Sequence, residues 1–274
     1  MSKPKPNPSD ARPDSPPELP ALKDIAALPA PGSFLEAARS LGVEFEGEEL
    51  ARLGRFLGML LETNTRFNLT AIRSADEAWE RHILDALGLV QFLADVEEGS
   101  RVADVGSGGG VPGLPLAIVF PGLRFTLIEA TGKKARFLEA AAEALGLTNV
   151  RVTQERAEVL GHDREGHRGQ YDAVLARAVG HLAVVAELCA PLAKVGGLLL
   201  MTKGQKAEEE LGEAKQALHM LHLSAAGVVE TPTGRIVALE KRRETPRTYP
   251  RRPGEPARAP LGLRQSDARA RDES

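Results

Sequence analysis

The chain has 274 residues, 42% of them apolar and 27% charged, which provides for one large domain or two small ones with a real core and excludes a wholly disordered chain. A single cysteine excludes an internal disulfide and a cysteine-cluster metal site, so nothing points to secretion. The formal charge of −3 argues against a non-specific nucleic-acid binder, which would be basic throughout.

Nine of the 19 prolines fall within residues 1–31, a density that leaves no room for a long helix or strand. Residues 1–33 are therefore expected to be an extended, disordered leader outside the fold. The leader has no apolar signal core, and no apolar run in the chain approaches the ~20 residues that cross a bilayer. The expected location is the cytoplasm.

Residues 34–99 read as a helical N-terminal extension. In 47–62, Leu50, Leu53, Leu57, Leu60 and Leu61 recur at spacings of three and four, the period of a helix with one buried face. A further helix is expected from about Asp76 to about Ala94, with Ser74 as its N-cap.

From Ser100 the rhythm changes to short apolar runs separated by helical segments. Strands are expected at Val102–Val105, Phe125–Glu129, Val150–Thr153, Asp172–Arg177 and Gly197–Thr202. Such spacing implies right-handed crossovers and a mainly parallel sheet with helices on both faces. Two last strands, near Leu223–Val229 and Arg235–Glu240, flank Thr231-Pro232-Thr233-Gly234. That link is long enough for a hairpin and too short for a parallel crossover, so one strand near a sheet edge is reversed. The core thus spans 100–241, with a basic tail at 242–274. From Lys241 onward there are ten Lys/Arg and five Asp/Glu, a net +5, while 1–33 is neutral; taking these from the total leaves −8 for 34–240.

The strongest chemical signal is Ala103-Asp104-Val105-Gly106-Ser107-Gly108-Gly109-Gly110-Val111-Pro112-Gly113. Its glycines allow a tight turn and close backbone approach to a ligand, and Pro112 suits the opening of a helix. Glu129 stands 23 positions after Gly106, at the end of the next strand, where a carboxylate can accept from both hydroxyls of a ribose. Together they indicate an adenosine-type cofactor, although a structural turn and a solvated carboxylate are the plainer readings of each alone. Asp104 would repel a pyrophosphate and attract an ammonium, which favours S-adenosylmethionine over NAD; otherwise it caps local amides. An NAD-dependent oxidoreductase is the first alternative, and a non-catalytic RNA-binding protein on the same fold is the second.

Asn64-Thr65-Arg66-Phe67-Asn68-Leu69-Thr70-Ala71-Ile72, Arg81-His82-Ile83-Leu84-Asp85, the glycine loop and Glu129-Ala130-Thr131-Gly132-Lys133-Lys134 resemble the bacterial small-subunit rRNA guanine-N7 methyltransferases. Arg156-Ala157-Glu158, Ala176-Arg177-Ala178-Val179, Thr202-Lys203-Gly204 and Thr245-Pro246-Arg247-Thr248-Tyr249-Pro250-Arg251-Arg252 extend the likeness, which runs from Phe34 to Leu261. The resemblance implies a class I, Rossmann-like methyltransferase fold, S-adenosylmethionine as donor, and a 16S rRNA guanine near the decoding region as substrate, free or in the small ribosomal subunit. It places cofactor contacts on Gly106, Gly108, Val111, Glu129, Ala130, Thr131, Ala157, Glu158 and Arg177. Gly109 and Val111 depart from residues common in relatives, which leaves the shape of the pocket wall open.

The chemistry agrees with that likeness. Guanine N7 carries a free lone pair and no proton to lose, so no general base is required and positioning can supply most of the catalysis, ~7–11 kcal/mol in favourable cases. No catalytic acid or base is therefore assigned. Cytosine-C5 methylation would need a thiolate, and Cys189, in an apolar run before Pro191, reads as inert core.

Arg177 could grip a carboxylate or a phosphate, or brace the sheet in an ion pair. His82 and Asp85, three apart on one helix, read as structural partners. His219 and His222 lack a third ligand nearby, so no metal is expected. For RNA, the candidates are Lys133, Lys134 and the tail residues Arg242, Arg243, Arg247, Tyr249 and Arg251, gripping phosphates and stacking a base. Asn64, Phe67 and Asn68 could present the base, or simply end a helix.

Overall fold

The computed structural model describes residues 19–263. The expectations for 1–18 and 264–274 lie outside them. The first described stretch corrects the expectation of a leader free of the fold. It is extended apart from one 3₁₀ turn, Leu22–Asp24, yet Leu22 is buried and the Leu28 N–H donates to the Gly54 carbonyl at 3.1 Å. Glycine makes this contact possible. A Cβ on Gly54 would stand 2.3 Å from the Leu28 oxygen, and one on Gly58 2.7 Å from the Ala26 oxygen. A proline-rich chain with no helix or strand of its own can still pack through its backbone where its neighbour lacks side chains.

The helices of the extension are α1 (Gly32–Ser40), α2 (Glu49–Asn64), α3 (Ala75–Ala78), α4 (Asp85–Leu87) and α5 (Val90–Leu93). Helix α2 buries Leu53, Phe56, Leu57, Met59 and Leu60, close to the face its leucine spacing predicts. The Ser74 hydroxyl accepts from the Glu77 N–H at 3.3 Å, as an N-cap should. The helix expected over 76–94 is broken, however. Residues Trp79–Leu84 form a π-helical stretch, whose wider turn re-aims the side chains beyond it.

Seven strands follow in the order β3-β2-β1-β4-β5-β7-β6: β1 (Arg101–Val105), β2 (Arg124–Ile128), β3 (Val150–Thr153), β4 (Tyr171–Arg177), β5 (Ala193–Lys203), β6 (Leu223–Thr231) and β7 (Gly234–Lys241). All neighbours are parallel except those of β7, antiparallel to β5 and β6, so the short 231–234 link gives the expected reversed strand. Between them run α6 (Gly113–Val119), α7 (Gly132–Ala144), α8 (Ala157–Leu160), α9 (Leu182–Cys189), α10 (Ala207–Glu213) and α11 (Lys215–Met220), and α12 (Glu255–Arg258) closes the described chain.

The period of two along each strand divides the interior. Val102, Leu175, Leu200 and Ile236 join the extension, α6 and α7 in one core. Ala103, Val174, Ala176, Leu199, Met201 and Val237 join α8, α9 and α11 in the other. Strand order reverses between β1 and β4, and the crevice outside their C-terminal ends is where open α/β sheets receive ligands.

Candidate functional site

A cavity of ≈ 300 Å³ opens at that reversal, lined by Gly106, Gly108, Val111, Lys134 and Arg177 together with Leu60, Leu69, Thr70 and His82. Gly106, Gly108 and Gly110 have φ of 73°, 54° and 90°, the left-handed region that glycine enters freely. Gly109 is fixed by packing instead: a Cβ there would lie 2.9 Å from Leu60. Gly109 is thus where the N-terminal extension closes on the glycine loop.

Glu129 is buried with both oxygens aimed at backbone. Oε2 accepts from the Gly108 N–H at 3.0 Å and Oε1 from the Thr131 N–H at 2.7 Å, so the carboxylate joins the glycine loop to the end of β2. Each oxygen keeps a lone pair for a ribose hydroxyl. Ala130 and Thr131 are exposed beside it. A cradle of bare backbone with a buried carboxylate at its rim fits an adenosine-bearing cofactor.

Asp104 shares a strand face with Val102, so the pleat turns it toward α6 and away from the cavity. Its Oδ2 accepts from the Gly113 N–H at 3.1 Å, and Oδ1 has no partner among the described residues. Burial, partly opposed by the Gly113 N–H, pushes its pKa up to about 7. Asp104 thus caps a local amide through Oδ2, the plainer of its two expected roles.

Arg177, at the end of β4, is held on three sides. Its Nε stands 2.7 Å from Asp85 Oδ2, and its two terminal nitrogens bond His82 Nδ1 at 3.1 Å and the Arg81 carbonyl at 2.6 Å. Burial and then the Arg177 charge push the His82 pKa down to about 4, so the imidazole is neutral at pH 7 and accepts at Nδ1. Its Nε2 lies 3.0 Å from Thr70 Oγ1, and the Thr233 hydroxyl donates to Asp85 Oδ1 at 2.6 Å. This chain of bonds ties the extension, β4 and the β6–β7 turn together. The π-helical stretch delivers His82 and Asp85 to the same guanidinium, in a structural role.

On the far side of Arg177 and Ala178 lies a second cavity of ≈ 250 Å³, which also meets Thr202, Lys203 and Thr233. Lys203 is committed to Glu210 at 2.7 Å and to the Gly180 carbonyl. Thr202 Oγ1 is buried with no partner among the described residues. Cys189 is fully buried and burial raises its thiol pKa, leaving no thiolate.

Other candidates fall elsewhere. Ala157 and Glu158 are buried at the start of α8, and Glu158 Oε1 accepts from the Gly254 N–H at 2.9 Å. The tail, expected to be a basic arm, is a strap over α8 and α9. Arg251 grips Glu187, which is fully buried, through Nε at 2.9 Å and a terminal nitrogen at 2.6 Å. Tyr249 packs on the second core, so it and Arg251 hold the strap to the buried acid and the apolar surface. Arg242 bonds Ser224 and Glu240 at its exposed position, while Arg243 and Arg247 are exposed. Lys133 stands 5.5 Å over the Phe67 ring. Asn64 Oδ1 accepts from the N–H groups of Leu69 and Thr70, so it builds the loop that walls the cavity. That wall of Leu69, Thr70 and Ala71 escaped the sequence reading. Its signal was Asn64 ending a leucine-patterned helix.

The family profile described as rRNA small subunit methyltransferase G matches residues 49–236. The ribosomal RNA small subunit methyltransferase G of Sorangium cellulosum is 48% identical over 88% of this chain and 99% of its own. That of Listeria monocytogenes is 37% identical over 84% and 99%. A SAM-dependent methyltransferase from Aquifex aeolicus superposes on 58% of this chain and 90% of its own, with TM-score 0.47 and 18% identity.

Proposed function

Because the chain belongs to the rRNA small subunit methyltransferase G family, a group of S-adenosylmethionine-dependent enzymes, we propose that it methylates N7 of a guanine in 16S rRNA near the decoding region. The reading rests most on one observation: the bare glycine loop meets a buried acceptor, Glu129, at the strand reversal. Glu129 would hold the ribose there, with Ala130 and Thr131 next to it and Gly106, Gly108 and Val111 as the remaining candidate contacts. The cofactor supplies an electrophilic methyl on a positively charged sulfur.

The protein's task is then positional. Guanine N7 attacks with its own lone pair, and the neutral His82 has no proton to trade near pH 7. The second cavity, joined to the first by Arg177 and Ala178, is where an unstacked base would be received, with the unpartnered Thr202 hydroxyl as a polar handle. Arg177, locked by Asp85, His82 and Arg81, walls both cavities and needs no rearrangement to do so. The expected setting is the bacterial cytoplasm, where the small subunit is found.

The test is to incubate hypomethylated small subunits and free 16S rRNA with isotopically labelled cofactor, digest to nucleosides and identify the product by mass spectrometry. Labelled 7-methylguanosine is expected. Label in another nucleoside, in ribosomal protein or nowhere overturns the reading.

A further inference from the structure

The N-terminal ends of β4 and β5, opposite the cofactor edge, carry a second concentration of charge. A cavity of ≈ 640 Å³ lies between the 161–170 segment, the start of β5 and the first turn of the strap, and Arg164, Arg168, Lys194, Lys241 and Arg247 face it with Glu244 as the single acid. Two of these cations build the strap. Arg168 donates to the carbonyls of Gly161, Thr245, Pro246 and Tyr249. Lys241, 2% exposed, bonds the Ala190 carbonyl and the Thr245 hydroxyl. Lys194 pairs with Asp172 at 2.6 Å. Arg164 and Arg247 are exposed and have no acidic partner within ion-pair distance among the described residues.

Like charges held this close repel. Burial lowers the Arg168 pKa, with Arg164 and Arg247 adding to the fall and Glu244 opposing it; burial and then Arg168 push that of Lys241 down to about 7, again against Glu244. Packing has fixed Arg168 and Lys241 at the floor, and Glu244 is the single lining acid set against Arg164 and Arg247 at the mouth. An anion entering the cavity would relieve the repulsion.

We propose that this cavity is a second RNA-contact site, in which Arg164 and Arg247 grip phosphodiesters of the same rRNA that is methylated at the other edge. This proposal rests on the reading of the substrate as rRNA. The partner is RNA backbone and not a mononucleotide, because the two free guanidinium groups stand exposed at the mouth and the floor cations are spent on carbonyls. β4 is seven residues long, so the sites are roughly 20 Å apart at about 3.3 Å per residue, a span that folded RNA bridges and a flipped nucleotide does not. Of the tail's cations Arg247 thus serves RNA, beside Arg164 from outside the tail, while Arg251 and Tyr249 secure the strap.

The test uses the full chain with Arg164→Gln and Arg247→Gln combined, beside a control pair at exposed positions away from the cavity, Arg39→Gln with Arg124→Gln. Affinity for small subunits and for 16S rRNA is measured across a salt series, with S-adenosylmethionine affinity by calorimetry as the fold check. The cavity pair is expected to lose ~10-fold or more in RNA affinity at low salt and to flatten the log–log salt slope by about 1.4–1.8, the value for two phosphate contacts. Cofactor affinity should stay unchanged. Losses no larger than those of the control pair overturn the proposal. So does binding of ATP or pyrophosphate that the cavity pair abolishes while RNA affinity is untouched. If the wild-type chain forms no 7-methylguanosine yet the salt slopes differ as expected, the methylation reading fails and this site stands.

Discussion

The two ends of the sheet handle positive charge in opposite ways. At the C-terminal edge, Arg177 meets Asp85, His82 and the Arg81 carbonyl, and its charge is spent on holding three parts of the chain in register. At the N-terminal edge, Arg164 and Arg247 face a cavity with Glu244 as its single lining acid. A cation bound by its own chain makes a rigid wall, while a cation left over makes an attractive surface. Sequence cannot tell these apart, because an arginine's role depends on what faces it.

Arg177 carries the larger structural load of the two ends. Arg177→Ala leaves Asp85, 5% exposed, without its cation, and breaking such a pair costs about 2–4 kcal/mol, a fall in melting temperature of roughly 5–15 °C. The same change at Arg164 should stay within about 0.5 kcal/mol. Calorimetric melting of both variants measures the difference. Equal losses would mean that Arg164 also has a structural partner. Arg177→Lys should recover only part of the loss, since one ammonium cannot span the fork of partners.

The cofactor edge is sharpened by Gly108→Asp. The backbone there has φ of 54°, costing a side chain ~1–2 kcal/mol, and the new carboxylate would stand beside Glu129, whose Oε2 holds the Gly108 N–H. Cofactor affinity should fall by ~100-fold or more in titration calorimetry. RNA affinity at the opposite edge should change little. Retained cofactor affinity would place the ligand elsewhere.

Most of the architecture is legible in the chain, and the failures have common physical causes. Strand positions followed from short apolar runs, and the reversed β7 from a link too short to cross over, because both depend on local length and period. The capping role of Asp104 was legible only as an alternative, because a strand's pleat, not its position two residues before a glycine loop, decides which way a carboxylate points. The 19–31 segment was misjudged because its packing is carried by Gly54 and Gly58 of another element, a complementarity no composition reveals. The strap role of Arg251 and Tyr249 was not legible because a charge run does not disclose the buried Glu187 beneath it.

Asp104 also gives the cofactor edge a pH signature. Its folded pKa, pushed up to about 7 by burial, lies above the ordinary carboxyl value of 3.8. The folded protein therefore holds a proton that the unfolded chain releases. The resulting stabilisation is fully present below about pH 4 and is lost as pH rises through about 7. Asp104→Asn keeps an acceptor for the Gly113 N–H and removes the titration. Unfolding by denaturant should show the variant gaining about 2–3 kcal/mol on the wild type at pH 8 relative to pH 5. A wild-type profile as flat as the variant's would deny the raised pKa.

The smallest expected effect decides whether the two ends hold one RNA. Lys133 lies over the Phe67 ring at the cofactor edge, a contact worth about 0.5–1 kcal/mol at an exposed site. Lys133→Met keeps most of the packing and deletes the charge, so stability should move by less than about 1 kcal/mol while the salt slope of RNA binding falls by ~0.7–0.9 if one phosphate is lost. Combined with the Arg164→Gln and Arg247→Gln pair, the losses in log affinity for the small subunit should add, because the sites are too far apart to couple directly. On a short hairpin that reaches only the cofactor edge, Lys133→Met alone should register. Sub-additive losses on the subunit, or equal sensitivity of the hairpin to all three changes, would show that the ends do not grip separate stretches of one substrate.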